Sequence, residues 1–174
     1  MPHIRWTDRT FDFGFPVELY PEIIERMRGT PDRLAERTGG LPAAVQTVRP
    51  AHGWSIREHV GHIADLDRSV FLTRLLVYVN DGPLLPLADM TNAATTAANH
   101  NARDMIDVLD NAREARHDFV AQLEALDASV FARTRTHPRL GVPMRLVDMI
   151  YFMAEHDDHH LATITELSRG SRES

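Results

Sequence analysis

A hexapeptide near the carboxyl end, EHDDHH at 155–160, is the feature that most constrains how this chain folds. It lies in an apolar segment, from about Leu146 to Leu167, whose apolar residues recur at helical spacing. Residues four apart share one helical face, so His156 and His160 lie on the buried stripe and can present two imidazoles to one metal ion. A hydrogen-bonded pair of core histidines is the alternative. A metal site needs at least one more protein ligand, which has to come from elsewhere in the chain.

The composition restricts both the ligands and the class of protein. The chain has 174 residues, 43% of them hydrophobic, and we expect a single domain over residues 1–174. It contains no cysteine, so a transition-metal site has to use histidines and carboxylates. A net charge of -6 with scattered basic residues argues against nucleic-acid binding. With no apolar targeting stretch and no run near ~20 apolar residues, we expect a cytoplasmic protein without a membrane partner.

Hydrophobic periodicity predicts four long helical units and no strand. They cover about 18–39 with a break near Thr30, 55–79, 93–126 with room for an interruption, and 145–168. The break is predicted because Thr30-Pro31 reads as a helix cap followed by proline. The second unit is predicted to begin with a capping box formed by Ser55 and Glu58. A long connection, residues 127–144, precedes the last unit. Together these units predict an all-α four-helix bundle, with the irregular aromatic-rich residues 1–16 laid across it.

Two stretches of the chain stand out together, GWSIREHVGHIAD at 53–65 and AEHDDHHLATI at 154–164. In order and spacing they resemble the DinB-like (YfiT-like) family of metal-dependent hydrolases. The resemblance covers nearly the whole chain from the first helix onward. It implies an up-down-down-up bundle, often dimeric, with a nickel, zinc or similar divalent ion held by one histidine of the second long helix and two of the last. In this sequence those histidines are His62, His156 and His160.

Periodicity and resemblance disagree about the second long helix, which carries two histidines. At 100° per residue, His59 lies about 40° from the apolar Ile63, whereas His62 lies about 100° away from it. Periodicity therefore favours His59 as the buried histidine, and the resemblance favours His62 as the ligand. We predict that His62 binds the metal at the edge of the apolar stripe. His59 is then expected to be a half-solvated surface residue in the first helical turn.

A three-histidine site with an open coordination position predicts a metal-dependent enzyme, in which the ion lowers the pKa of a bound water or thiol. The resemblance implies hydrolysis, or thiol-dependent transfer or isomerisation, of a small molecule that the sequence does not identify. No catalytic residue is assigned. The HDxxH pattern is also close to the zincin HExxH, but no histidine follows His160 to serve as a metzincin-type third ligand.

The non-enzymatic alternative is a metal-stabilised or metal-sensing homodimer, in which four protein ligands would close the metal site. We expect a homodimer in either case. The resemblance implies it, and the aromatic amino-terminal segment would leave an apolar patch on a monomer.

Polar residues near these histidines are weaker candidates. Carboxylates beside the proposed ligands could orient the imidazoles or act as a general base, although helix-surface carboxylates are usually only solvated. Residues after the second long helix could supply a pocket wall, and ordinary turn and capping chemistry explains them equally well. The carboxylates are Asp65, Glu155, Asp157 and Asp158, and the loop residues are Asp89, Asn92, His100 and Asn101.

Overall fold

The computed structural model describes residues 4–82 and 84–170, of which most are helical. The α-helices are α1 (Tyr20–Arg28), α2 (Thr30–Thr38), α3 (Ala43–Thr47), α4 (Ile56–Leu66), α5 (Leu72–Val79), α6 (Ala93–Ala98), α7 (Met105–Glu124) and α8 (Leu146–Gly170). Short 3-10 turns cover Trp6–Asp8, Val17–Leu19, His100–Ala102 and Ala128–Ala132. Strands β1 (Thr134–Thr136) and β2 (Pro143–Arg145) pair antiparallel, with Arg135 opposite Met144.

Four helical units form the bundle: α1 with α2, α4 with α5, α7, and α8. The α1–α2 unit packs on α7 and α8, and α4 packs on the same two helices. The first and second units therefore lie diagonally across the bundle, as α7 and α8 do. Diagonal neighbours in sequence need long connections, which residues 39–55 and 125–145 supply. The prediction of an all-α four-helix bundle is confirmed.

The second long helix begins where the sequence predicts and contains one irregular turn. The Ser55 amide donates to the Glu58 carboxylate at 2.9 Å, and the Glu58 amide donates to the Ser55 hydroxyl at 3.3 Å, so both halves of the capping box are present. A π-helical turn at Asp67–Phe71 joins α4 to α5. This turn brings Asp67 into the protein interior, where it is buried.

Two local predictions need correction. Thr30 does not cap α2, because Gly29 occupies the cap position and the Thr30 hydroxyl instead donates to Asp157 Oδ2 at 2.7 Å. The connection before α8 was predicted without strands, but it contains the β1–β2 hairpin. Each strand is only three residues long, too short to show the apolar–polar alternation by which a strand is recognised.

The aromatic amino-terminal segment lies across the bundle, as predicted. The rings of Trp6, Phe11, Phe13 and Phe15 pack against the hydrophobic core, and the Trp6 ring centroid is 4.8 Å from that of Phe152. Because these rings pack on helix α8 of the same chain, the expectation that they form an exposed patch on a monomer is wrong. Among the described residues, no helix is both long and apolar enough to span a membrane.

Candidate metal centre

Three buried imidazoles converge between α4 and α8. His62 comes from α4, and His156 and His160 come from successive turns of α8. Each offers one ring nitrogen, and the three nitrogens all lie within 4.8 Å of one another. The spacing of four residues between His156 and His160 places their rings edge to face on the inner face of α8, with centroids 4.4 Å apart. The bundle thus brings together the three histidines that were predicted as ligands.

Hydrogen-bonding contacts hold the outer nitrogens of two of these rings. His62 Nδ1 lies 2.9 Å from the Thr95 hydroxyl, which leaves His62 Nε2 as the other ring nitrogen. His160 Nδ1 lies 2.8 Å from His59 Nδ1, while His160 Nε2 lies 3.0 Å from His156 Nε2. Imidazoles that bind metals usually have such a partner on the second nitrogen, because it fixes the ring orientation and the tautomer.

The distances and protonation states fit a transition-metal ion. Two nitrogens each bonded at 2.0–2.1 Å to one tetrahedral ion lie about 3.3 Å apart, close to the 3.0 Å between the Nε2 atoms of His156 and His160. Burial lowers the pKa of His62 to about 3 and holds the pKa values of His156 and His160 well below their ordinary value. All three rings are therefore neutral near pH 7, which is the form that binds metals.

His59 is not the surface residue that we predicted. It is only 8% exposed, and its Nδ1 contacts His160 as described above. Trp54, which precedes the helix cap, also packs on α4, and its ring centroid is 5.5 Å from that of His59 and 4.4 Å from that of His62. Periodicity was therefore right that His59 is buried. Even so, His62 and not His59 completes the group of three converging histidines.

A cavity of about 370 Å³ opens beside the three imidazoles. Its walls are mostly aromatic and aliphatic, with a few polar groups, as is usual for a site that binds a small molecule. Helices α4, α5 and α8 and the amino-terminal segment contribute to it. So do the loop after α5 and the two connections at 39–55 and 125–145. Besides the four histidines already described, the lining includes Trp6, Trp54, Leu66, Phe71, Arg74, Asp89, Met90, Asn92, His137, Arg139 and Phe152.

The carboxylates proposed as weaker candidates are engaged elsewhere. Glu155 pairs with Arg9 and Arg26, and Asp158 pairs with Arg26 and Arg33. Asp65 contacts His100 and Asp157 pairs with the buried Arg116. Their hydrogen bonds and ion pairs in the described part of the chain do not involve the three converging imidazoles. They act in the structure as partners of basic groups.

The loop candidates divide into two pairs. Asp89 and Asn92 do line the cavity. Asn101 instead accepts a hydrogen bond of 2.7 Å from the Ser55 hydroxyl, and the His100 ring packs against Gly61. The sequence did not predict that Arg74, His137, Arg139 and Trp6 line the cavity. Residues 137 and 139 lie in an irregular connection, where no periodicity shows which side chains point inward.

A four-helix bundle that gathers three buried imidazoles from its second and last long helices has the architecture of a metal-binding helical bundle. The family model of the DinB superfamily matches residues 26–164. This chain therefore belongs to the DinB superfamily.

Two proteins that are similar to this chain in sequence are named as metal-dependent. A Geobacillus kaustophilus protein is 28% identical over 170 residues, which cover 95% of this chain and 94% of the relative. A Bacillus licheniformis protein is 27% identical over 158 residues, covering 87% and 89% of the two chains. Both are named "Putative metal-dependent hydrolase".

Two solved structures share the fold. YfiT from Bacillus subtilis, described as "a probable metal-dependent hydrolase with an unusual four-helix bundle topology", matches with a TM-score of 0.78 and 23% identity over 94% of this chain and 93% of YfiT. The mycothiol-dependent maleylpyruvate isomerase matches with a TM-score of 0.65 and 12% identity over 88% of this chain and 62% of the isomerase. At these identities the matches establish the architecture alone.

Proposed function

We propose that this protein binds one divalent transition-metal ion through His62, His156 and His160 and is a metal-dependent enzyme that acts on a small molecule. The observation that carries the proposal is the convergence of three buried ring nitrogens within 4.8 Å beside a cavity. Three protein ligands leave one coordination position for solvent or substrate, which is typical of catalytic sites. Zinc and nickel are the ions we propose, because imidazole suits both. The names of the relatives support a metal-dependent protein.

A bound divalent ion would supply Lewis acidity, which polarises a substrate and lowers the pKa of a water or thiol. The residues of the chain prepare the site for it. Thr95 and His59 contact the outer nitrogens of His62 and His160 and so orient both rings. The indole of Trp54 packs on His62, and that of Trp6 packs on His156 with a centroid distance of 5.0 Å. These two rings shield the imidazoles from bulk water, which strengthens electrostatic interactions within the site.

Two reaction classes fit this arrangement. The names of the sequence relatives favour hydrolysis, in which water is the nucleophile. The fold match to a mycothiol-dependent isomerase is the reason to keep thiol-dependent transfer or isomerisation as the second candidate. Assays of ester, amide and electrophilic small-molecule substrates with and without a low-molecular-weight thiol distinguish the two. Turnover that requires the thiol would favour the second candidate.

Elemental analysis tests the metal site directly. We expect about one zinc or nickel ion per chain after purification or reconstitution, and loss of the ion in His62→Ala and His160→Ala. His117→Ala is the matched control, because this ring lies on the surface of α7 and its side chain is 78% exposed. Chelation should abolish activity and leave the helical circular dichroism unchanged, because long apolar faces already hold the helices together. Absence of any bound transition metal after reconstitution would refute the site.

The non-enzymatic alternative is a metal-stabilised or metal-sensing homodimer. Cobalt substitution distinguishes it from an enzyme, because the visible spectrum of a site with an open position responds to small anions and that of a site closed by four protein ligands does not.

We also propose a homodimer for the enzyme, on the resemblance to the family and on the highly exposed Leu84 and Leu87 in the loop after α5. Light scattering that gives the mass of one chain at every concentration would contradict the dimer.

A further inference from the structure

The cavity beside the three imidazoles also contains three basic side chains that the proposed metal site does not use. They are Arg74 from α5 and His137 and Arg139 from the connection before α8. Arg74 is only 2% exposed, and its Nη1 lies 3.2 Å from His137 Nε2. Arg139 lies over the Phe152 ring, with its guanidinium carbon 5.9 Å from the centroid. Phe152 precedes His156 by one turn of α8, or about 6 Å along the helix axis.

This cluster contains hydrogen-bond donors that lack an acceptor. His137 Nδ1 accepts hydrogen bonds from the amides of Arg139 at 3.3 Å and Leu140 at 3.1 Å. A neutral imidazole has one donor and one acceptor nitrogen, so the proton of His137 is on Nε2. That N–H faces the guanidinium of Arg74, which can only donate. Arg139 Nη2 is also buried without a hydrogen-bond partner in the described structure. His137 Nε2 and Arg74 Nη1 are therefore two donors with no acceptor between them, and Arg139 Nη2 is a third unpartnered donor on a residue that lines the same cavity.

The positive charge of the cluster is also uncompensated. Within the described residues, neither Arg74 nor Arg139 forms an ion pair, and the other hydrogen bonds of Arg74 go to the Pro86 carbonyl at 3.1 and 3.2 Å. Burial and the neighbouring Arg139 lower the pKa of Arg74 to about 10, and it remains charged at pH 7. Asp89 also lines the cavity, but its two oxygens accept from the amides of Thr91 at 2.8 Å and Ala93 at 2.9 Å. A buried charge without a counter-ion is costly, and a bound anion would compensate it.

The π turn in the second long helix explains how Arg74 reaches this cavity. In a regular α-helix, a residue twelve positions after His62 would lie about 120° away from it around the axis. The additional residue in the π turn at Asp67–Phe71 takes back about 100° of that rotation. Arg74 therefore lies on nearly the same face as His62, and both line one cavity.

We infer that this cluster binds an oxyanion, a carboxylate or a phosphate, carried by the substrate. The apolar walls of the cavity, which include Phe71, Met90 and Phe152, would hold the body of the molecule between that anion and the metal centre. Arg139 and Arg74 donate to the anion together with His137 Nε2. The substrate class is thus a small, largely apolar organic acid or phosphate ester. The role of the metal in this assignment rests on the proposed function, whereas the anion site does not.

Calorimetric titration of the purified protein with benzoate, phenyl phosphate and the neutral benzamide tests the inference. We expect one or both anions to bind at least roughly tenfold more tightly than benzamide, because hydrogen bonds to charged groups are strong. Arg139→Gln should weaken that binding roughly tenfold or more. The control Arg113→Gln removes an exposed arginine of α7, outside the cavity, and should leave binding unchanged. Which anion binds more tightly identifies the group as carboxylate or phosphate.

The same titration of His62→Ala separates the anion site from the metal site. Binding that persists in His62→Ala and still weakens on adding Arg139→Gln supports the anion site even if no metal is found. Binding that disappears in His62→Ala and is unaffected by Arg139→Gln would mean that the metal alone holds the anion, and would overturn the inference. Equal affinities for benzamide and both anions would also overturn it. Arg74→Gln could disturb α5, so the nuclear magnetic resonance signal of His137 Nε2 provides the independent readout. We expect this signal to shift on adding benzoate or phenyl phosphate.

Discussion

Arg116 and Asp157 form an ion pair in the centre of the bundle, where Arg116 is only 1% exposed. Arg116 Nη2 donates to Asp157 Oδ1 at 3.0 Å, and Nη1 donates to the other oxygen of the same carboxylate. The guanidinium also donates to Asp67 of the π turn, at 2.8 and 3.1 Å, and to the Met27 carbonyl of α1 at 3.0 Å. One side chain therefore connects all four helical units. Since Asp157 follows His156, this network also fixes α8 at the height of the three converging imidazoles.

Replacing Arg116 with methionine should destabilise the protein strongly. The substitution leaves the buried carboxylates of Asp67 and Asp157 without a counter-ion, and breaking a buried pair in this way costs about 3–5 kcal/mol. The free energy of unfolding from urea titrations checks this loss. Adding Asp67→Asn and Asp157→Asn should recover part of it. The exposed Arg113→Met is the control, and a loss below about 1 kcal/mol in Arg116→Met would contradict the expected role.

The two histidines of α4 should have graded effects on metal affinity. His62→Ala removes a proposed ligand and should lower the affinity by orders of magnitude. His59→Ala removes the contact on the outer nitrogen of His160, and loss of such a partner typically costs about 10–100-fold. Competition with a chelator measures both affinities, and circular dichroism checks that both variants stay helical. Retention of metal by His62→Ala together with its loss from His59→Ala would show that the ligand assignment is wrong.

The sequence predicted His59 as a half-solvated surface residue, whereas the structure buries it against His160. Apolar periodicity and the Ser55–Glu58 capping box are local signals, and both located α4 correctly. The histidine spacing in α8 is local too, and with the family resemblance it led to the three converging imidazoles. Periodicity within α4 also favoured a buried His59, whereas the contacts of His59 with Trp54 and His160, both outside α4, have no local signal.

The π turn is the second limit on what the sequence could predict. Residues 55–79 were predicted as one helix, and a regular helix would turn Arg74 away from the face of His62. The turn brings in Asp67, whose partner Arg116 belongs to a different helix. Such long-range pairing is set by the packing of the bundle, and the sequence gives no spacing signal for it. Arg74 went unpredicted because of this turn, whereas His137 and Arg139 went unpredicted because they lie in an irregular connection.

Substitution of Gly61 by alanine should loosen the packing next to His62. A Cβ atom at this position would lie 2.3 Å from ring atoms of His100, so α4 and the turn that carries His100 would have to separate. Such overpacking typically costs about 1–3 kcal/mol. Thermal or urea unfolding measures the cost, and the control is Gly170→Ala, where an added Cβ meets nothing within 4 Å. Equal stability of Gly61→Ala and the native protein would refute this tight contact.

The metal-free protein should lose stability as the pH falls below about 6.5. Burial lowers the pKa of His62 to about 3 and those of His59 and His137 to about 4, and it lowers those of His156 and His160 as well. In the unfolded chain these rings take up protons near their ordinary pKa of 6.5, whereas the folded chain excludes the protons until about pH 4. The unfolded state therefore binds more protons over this window, and the free energy of unfolding falls with falling pH.

Each such histidine contributes up to about 1.4 kcal/mol per pH unit within that window. Burial raises the pKa of Asp67 to about 6, which gives a slope of opposite sign from one group, so the histidines outweigh it. Urea unfolding with chelator present, at intervals between pH 7.5 and 4.5, measures the combined slope. His62→Gln should give a shallower slope, because it removes one of the buried rings. A free energy of unfolding that stays constant or rises between pH 7 and 5 would mean that these rings are protonated in the folded protein, and so are not the neutral imidazoles that a metal site requires.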